Sequence, residues 1–250
     1  MLILACDTSN SACSACIFED GRVLAQTLLS LGRTHSLTFM PMVHDLMKQS
    51  GRTYQELDAF ACTVGPGSFT GIRIGISAVK TMALVAGKPA VPVSSLAALV
   101  YPFSCWKDAL VVAMTDARNR RVFSSAYYAG VQVIPEKART IDELMSLCEA
   151  WENENEFTDI DYVLCGDAAN AYIGEDLFQR RHARVPVLFG REVQPSAVAA
   201  LACEVMAAHT EQSLSELFPP QSLMPVYRAK TSAERLFSAN KEDKNDRIHG

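Results

Sequence analysis

The sequence predicts an α/β protein made of two lobes that share one order of elements, β-β-β-α-β-α-β. Three observations carry this expectation. Short apolar segments around an Asp20-Gly21 turn open the chain as an antiparallel meander. Two helical patterns then alternate with short apolar strands as far as Val93. From Ala109 the same order comes round again, and its first strand ends on Asp116 as the opening strand ends on Asp7. No sequence repeat is visible, so the duplication is one of topology.

Taken in order, Met1 to Asp7 is a short apolar strand, Ala12 to Phe18 a second, and Val23 to Leu29 a third returning from the Asp-Gly turn. Ser36 can cap a helix running to about Ser50, with Pro41 tolerable only in or near its first turn. Leu37, Phe39, Met40, Met42, Val43, Leu46 and Met47 cover most of that helix, and the methionines make an adaptable surface. A strand from Ala59 to Val64, a helix from Ser68 to Ala86 stopped by Gly87, and a strand from Ala90 to Val93 complete the first set. A short helical stretch then leads to Lys107-Asp108.

The second set places strands at Ala109 to Thr115, Val122 to Tyr128 and Val131 to Ile134. A helix capped by Thr140 runs to Glu152, a strand from Tyr162 to Cys165, a helix from Ala169 to Arg181, a strand from Val185 to Phe189, and a last helix from Ser196 to Gln212. Two such lobes facing one another describe the ribonuclease-H-like, actin-like (ASKHA) architecture, with any ligand in the cleft between them. The expected organisation is a first lobe over 1–105, a second over 106–228 whose helix 196–212 can cross back to the first, and a polar tail over 229–250.

The least generic stretch is Thr63 to Gly75, a strand end, a Gly65-Pro66-Gly67 break and a helix start capped by Ser68. A glycine turn feeding a helix N-terminus offers N–H groups to a phosphate. The detailed templates fail, because Gly71 is followed by Ile72 rather than the P-loop lysine, and Thr70 stands at the third glycine of a dinucleotide fingerprint. Within the helix, Ile72, Ile76, Val79, Ala83 and Ala86 form a stripe for a sheet, and Gly71, Gly75, Ala78, Met82 and Val85 form a second beside it. Apolar on two faces, this helix is either sandwiched in a core or turned to a partner, and we expect the small-residue face to point outward.

Lys and Arg number 23 against 28 Asp and Glu, so no general basic field is available to hold a nucleic acid. The eight cysteines sit mostly in apolar segments, as reduced thiols do, which places the protein in the cytoplasm. Cys13 and Cys16 have redox spacing, yet in a strand they face opposite sides. No run approaching about 18 apolar residues is expected, so the chain should be soluble and make no use of a membrane. Five histidines include no H-x-x-x-H or H-E-x-x-H pair. Asp7 and Asp116, at equivalent strand ends, could flank a cleft and hold Mg²⁺ with ATP as in actin-like kinases. No glycine stands beside Thr8, Ser9 and Asn10 to admit phosphates, and Gly166-Asp167-Ala168 lacks a glycine run for adenosine. Asp7, Thr8, Ser9, Asp116 and Gly166 remain the candidate nucleotide cleft of an ATPase or kinase reading.

Several motifs together resemble the TsaB (YeaZ) family: Ile3-Leu-Ala-Cys-Asp-Thr-Ser9, Thr34-His-Ser36, Val64-Gly-Pro-Gly-Ser-Phe-Thr-Gly-Ile-Arg-Ile-Gly75, Pro92-Val-Ser-Ser-Leu96, Asp116-Ala-Arg118 and Pro225-Val-Tyr-Arg228. The resemblance implies an actin-like fold and a non-catalytic subunit of the bacterial machinery that makes N6-threonylcarbamoyladenosine beside the anticodon of tRNA. It implies the paralogous transferase TsaD as partner, carrying the metal, with the ATPase TsaE and with TsaC making the threonylcarbamoyl adenylate. ATP and metal then belong to the complex, with none assigned to this chain, and tRNA is met only through the complex. Where TsaD-like proteins carry a metal-binding histidine pair, this chain reads Ser94-Ser-Leu-Ala-Ala98. The resemblance puts the partner interface, or a homodimer in isolation, on the two first-lobe helices, at Phe39, Met40, Val43, Met47, Phe69, Gly71, Arg73, Gly75, Ala78 and Met82.

Overall fold

The computed structural model describes residues 1–32, 34–187, 189–209 and 213–227. The tail over 229–250, Arg228 and the expected helix end at Gln212 lie outside the described residues. The opening meander is β1 (Leu2–Asp7), β2 (Cys13–Glu19) and β3 (Arg22–Leu29), with Asp20 and Gly21 both at positive φ, 47° and 82°, as a two-residue hairpin turn requires. After α1 (His35–Ser50), β4 (Ala59–Gly65), α2 (Phe69–Ala86) and β5 (Ala90–Ser94), the first sheet has the order β3-β2-β1-β4-β5. β1 runs antiparallel to β2 and parallel to β4, which in turn runs parallel to β5.

A short helix, α3 (Ser95–Val100), capped by the Ser94 hydroxyl, leads to β6 (Ala109–Asp116), β7 (Arg121–Tyr128) and β8 (Val131–Thr140). Then follow α4 (Ile141–Glu154), β9 (Asp161–Cys165), α5 (Ala169–Tyr172), α6 (Asp176–Arg180), α7 (Pro195–Ala207) and α8 (Leu214–Leu217). The second sheet, β8-β7-β6-β9, repeats the first four strands of the first sheet: β6 is antiparallel to β7 and parallel to β9. Thr140 and Glu143 form a reciprocal capping box at α4. The architecture is the actin-like pair of ribonuclease-H-like lobes.

Both sheets are covered on both faces, which explains why β1 is buried along its whole length. Leu4, Cys6, Ile17 and Phe60 point to the layer of α1 and α2. Ile3, Ala5, Cys16 and Ala61 point to the other side, where α3 and α7 join them to Val111, Ala113 and Val163 of the second sheet. The far face of that sheet packs Leu110, Val112 and Leu164 against Ile141, Leu144 and Phe178. Helix α7, contributed after the second sheet, lies against the first, so one apolar layer is shared by both lobes. Cys13 and Cys16 fall in opposite layers, and all eight cysteines are free thiols.

The structure departs from the sequence expectations at several places. Thr34, not Ser36, precedes α1, and it makes no side-chain cap; Pro41 lies inside the helix, past the first turn. Proline at the first position of α7 displaces Ser196 as its start. The single helix expected over 169–181 is broken at Gly174 into α5 and α6. Among the described residues of the expected strand at Val185 to Phe189 no ladder forms. Beside β9 an isolated bridge joins Val163 to Arg184; Pro186 has no N–H to give, and Phe189 turns to a φ of 65°. Helix α2 does reach the length and hydropathy of a membrane span, 18 residues at 1.4, contrary to the expected absence of such a run. Arg73 and Lys80 interrupt it, and one side is packed on the sheet.

The small-residue stripe of α2 is also not outward at its start. Gly71 and Gly75 are buried against the chain that leaves β1, and a Cβ on either would run into the Thr8 carbonyl oxygen or hydroxyl. Thr8 Oγ1 donates to the Gly71 carbonyl at 2.7 Å, which holds the contact closed. Gly71→Ala should therefore destabilise the chain by about 1–3 kcal/mol through overpacking, although alanine normally favours a helix. A urea unfolding midpoint equal to or above that of the wild type would contradict this contact.

Candidate functional site

Two regions gather the residues singled out above. The first is the outer layer of α1 and α2. Phe39, Val43 and Met47 face the sheet and are buried, as are Gly71 and Gly75, so these five form the inner face of the helices and not an outward one. Ala78 and Met82 are half-buried at its margin. The exposed apolar side chains are Met40, Phe69, Leu37, Leu84 and Val85, the last with 79% of its surface open. Arg73 is exposed beside Phe69, its guanidinium carbon 3.9 Å from the ring centroid. The outward direction expected for the small-residue stripe of α2 is corrected, since its glycines go to the loop after β1, and Phe39, Val43 and Met47, placed at an interface by the resemblance, face the sheet.

The second region is a cleft of about 880 Å³ between the lobes, at the ends of β1 and β6. Ser9 and Asp116 line it, together with Asn10, His35, Arg118 and Asp167. Asp7 and Thr8 lie beneath its floor, 2% and 1% exposed. Asp7 Oδ1 accepts hydrogen bonds from the Ser9 N–H, the Ser9 hydroxyl and the Thr63 hydroxyl at 3.1, 2.6 and 2.6 Å. Burial raises its carboxyl above the ordinary value, against the pull of those donors. Gly166 is not a cleft residue: at a φ of 104° it packs on the Met114 carbonyl, where a side chain has no room.

The glycine turn is filled by the chain itself. The Ser68 N–H donates to the Ser9 carbonyl at 2.7 Å, and a Cβ on Gly67 would strike the same oxygen. The Ser68 hydroxyl caps the Gly71 N–H, and the Ser95 hydroxyl donates to the Pro66 carbonyl. Across the cleft, the Asp116 N–H donates to Asp167 Oδ1 at 2.9 Å, and the Asp116 carboxylate accepts the Arg118 N–H at 2.7 Å. Burial pushes the Asp167 carboxyl up, against that first hydrogen bond. Arg118, Asn119 and Arg120 follow with φ of 62°, 54° and 54°, a left-handed turn on the rim. Among the described residues, no three His, Cys, Asp or Glu side chains converge as metal ligands.

Asn10, His35 and Asp167 were not picked out as cleft residues by the sequence. Asn10 and Asp167 adjoin residues that were, His35 does not, and only the packing of β1, α1 and β9 ends brings them to one opening. The ring Nε2 of His35 lies 2.6 Å from the Asn10 carbonyl, while Asn10 Nδ2 and His35 Nδ1 are buried with no partner among the described residues.

Comparison with known proteins gives a concordant result. A family model described as "TsaD: tRNA N6-adenosine threonylcarbamoyltransferase" matches residues 23–216. The TsaB proteins of Escherichia coli and Bacillus subtilis, described as tRNA threonylcarbamoyladenosine biosynthesis proteins, are 38% and 35% identical over 130 and 127 residues. Each match takes in 51% of this chain and 55% of the relative, so the chain spans about half the length of the curated relatives it matches. A crystal structure from Pseudomonas aeruginosa, described as similar to peptidase YEAZ, superposes with a TM-score of 0.72 at 26% identity, covering 91% of this chain and 99% of that one. YeaZ of the same organism gives 0.66 at 24% identity over 90% and 99%, a likeness of fold. With a family match across most of its length and TsaB and YeaZ relatives in both sequence and structure, the chain belongs to the family of that transferase model, on its TsaB/YeaZ branch.

Proposed function

We propose that the chain is the scaffold subunit of the bacterial tRNA N6-threonylcarbamoyladenosine machinery, catalytically silent, cytoplasmic, and binding and activating the TsaD transferase through α1 and α2. The observation that carries this reading is the division of labour in those helices. Their inner face is spent on the first sheet, while Leu37, Met40, Phe69 and Val85 stay open to solvent, and Val85 is 79% exposed. Exposed apolar side chains on two adjacent helices offer area that a partner protein can cover. In isolation a second copy can cover the apolar part of this face, away from the line of Arg73 and Lys80. TsaE and TsaC complete the machinery, and tRNA is met through the assembly.

The rival reading, an ATPase or kinase using Asp7 and Asp116, is poorly served by the cleft floor. Asp7 is committed to Ser9 and Thr63 under a turn that Ser9 and Thr8 already fill, while Asp116 stands exposed on the rim. Asp7 therefore serves to tie β1 to β4.

Reconstitution with TsaC, TsaD, TsaE, ATP, threonine, bicarbonate and tRNA should give modified tRNA only when this chain is added; undiminished modification on omission would refute the scaffold role. Asp7 also gives a pH signature. Its folded-state carboxyl lies above its ordinary value of 3.8, so the folded chain holds that proton more tightly than the unfolded one. This group's contribution to stability falls as pH rises from near 3.8 through the raised value, and is level above it. Asp7→Asn should lack that fall, read as the difference in urea midpoint between pH 4 and pH 7; parallel profiles for the two proteins would disprove the assignment.

A further inference from the structure

We propose that the exposed edge of α2 is a charge-keyed docking surface, in which Arg73 receives a carboxylate from a partner protein of a different kind from this chain. The inference deepens the scaffold reading and rests on it.

The side chain of Arg73 is fixed before any partner arrives. Its guanidinium lies 3.9 Å from the centroid of Phe69 and 5.7 Å from that of Tyr227, and those two rings stack at 5.3 Å. Its Nε donates to the Tyr227 hydroxyl at 2.7 Å. One face and one edge of the guanidinium are thus occupied, which leaves the two terminal nitrogens to present a planar fork. No carboxylate pairs with Arg73 among the described residues. Fixing an arginine in this way removes much of the rotamer entropy that binding would otherwise cost.

The clamp on Arg73 is supplied from the far end of the chain. After α8 the backbone runs along α2 as a strap. The Phe218 carbonyl accepts the Ala90 N–H, and the Gln221 carbonyl accepts Lys80 Nζ at 2.8 Å. Leu223 is buried in the first-lobe core, and the Val226 N–H donates to the Val64 carbonyl. Tyr227 follows directly and is delivered to Phe69 and Arg73.

Charge decides the kind of occupant. Between Phe69 and Ala86 there is no Asp or Glu, and Arg73 and Lys80 are the charged residues. They stand seven residues apart, about 10 Å along the axis on nearly one line. A second copy laid α2 against α2 would meet this line with like charge and offer Arg73 no acid. A nucleic acid would need a broad basic field, and the chain carries a net charge of −5. A protein surface with carboxylates beside apolar side chains satisfies both Arg73 and the neighbouring Phe69.

The test measures binding of purified TsaD to wild type, Arg73→Glu, Arg73→Gln and Tyr227→Phe, with thermal unfolding to confirm that each variant is folded. Arg73→Glu should weaken binding by about thirtyfold or more, as loss of an interface anchor does. Arg73→Gln should weaken it less, Tyr227→Phe by a few-fold, and added salt should weaken the wild type more than either Arg73 variant. If the wild type binds TsaD and both Arg73 variants bind it equally well, the carboxylate docking is overturned while the scaffold role stands. If the wild type fails to bind TsaD, both are overturned. Loss of self-association alone in Arg73→Glu, or wild-type capture of free tRNA abolished by that change, would overturn the proposal in favour of a second copy or a phosphate.

Discussion

Helix α2 lies where it does because two of its residues have no side chain. Gly71 and Gly75 bring its axis onto the turn after β1, and Gly67 does the same for the chain entering it. The Thr8 hydroxyl then reaches the Gly71 carbonyl, and the Ser9 carbonyl receives the Ser68 N–H. This contact closes the end of β1 over β4, with Asp7 bonded to Thr63 beneath it. It also sets the rotation of α2, so that Ile72, Ile76, Val79 and Ala83 meet the sheet.

The same contact bears on chemistry. In a phosphate-binding turn, glycines leave space for a ligand's oxygens to reach backbone N–H groups. Here that space holds the carbonyls of Thr8 and Ser9. The cleft beyond is bordered by Ser9, Asn10, Asp116 and Asp167, but the carboxylate at the end of β1 is turned into the fold. What α2 gives up to the loop on one side it keeps on the other, where Phe69, Arg73 and the strap residue Tyr227 form an ordered surface group.

The two lobes are alike in order but unequal in completion. The first sheet gains β5 beside β4, whereas among the described residues the second ends at β9 with a bridge from Arg184. Helix α7 spends its apolar surface on the first sheet, so the layer between the sheets belongs to both lobes. A second sheet of four strands among the described residues is therefore compatible with a continuous core.

Much of this was legible in the sequence. The strand and helix order, the Asp20-Gly21 hairpin, the Ser68 and Thr140 caps and the topological duplication follow from local periodicity and capping chemistry, which act over a few residues. The family resemblance followed from the Thr63 to Gly75 stretch and its companions. Burial of the glycine stripe was not legible, because a small residue at helical spacing serves an outward close approach and an inward one equally well. Nor was the retreat of Asp7 from the cleft, which depends on Thr63, 56 residues away. The lost strand at Val185 to Phe189 shows the same limit, since its apolar run has strand composition but Pro186 denies it a ladder bond. The clamp of Tyr227 on Arg73, across 154 residues, was decided only by tertiary structure. The sequence by itself determined most of the strands and helices, because their signals are local; contacts between distant segments decided which face of α2 is spent inside and which is left exposed.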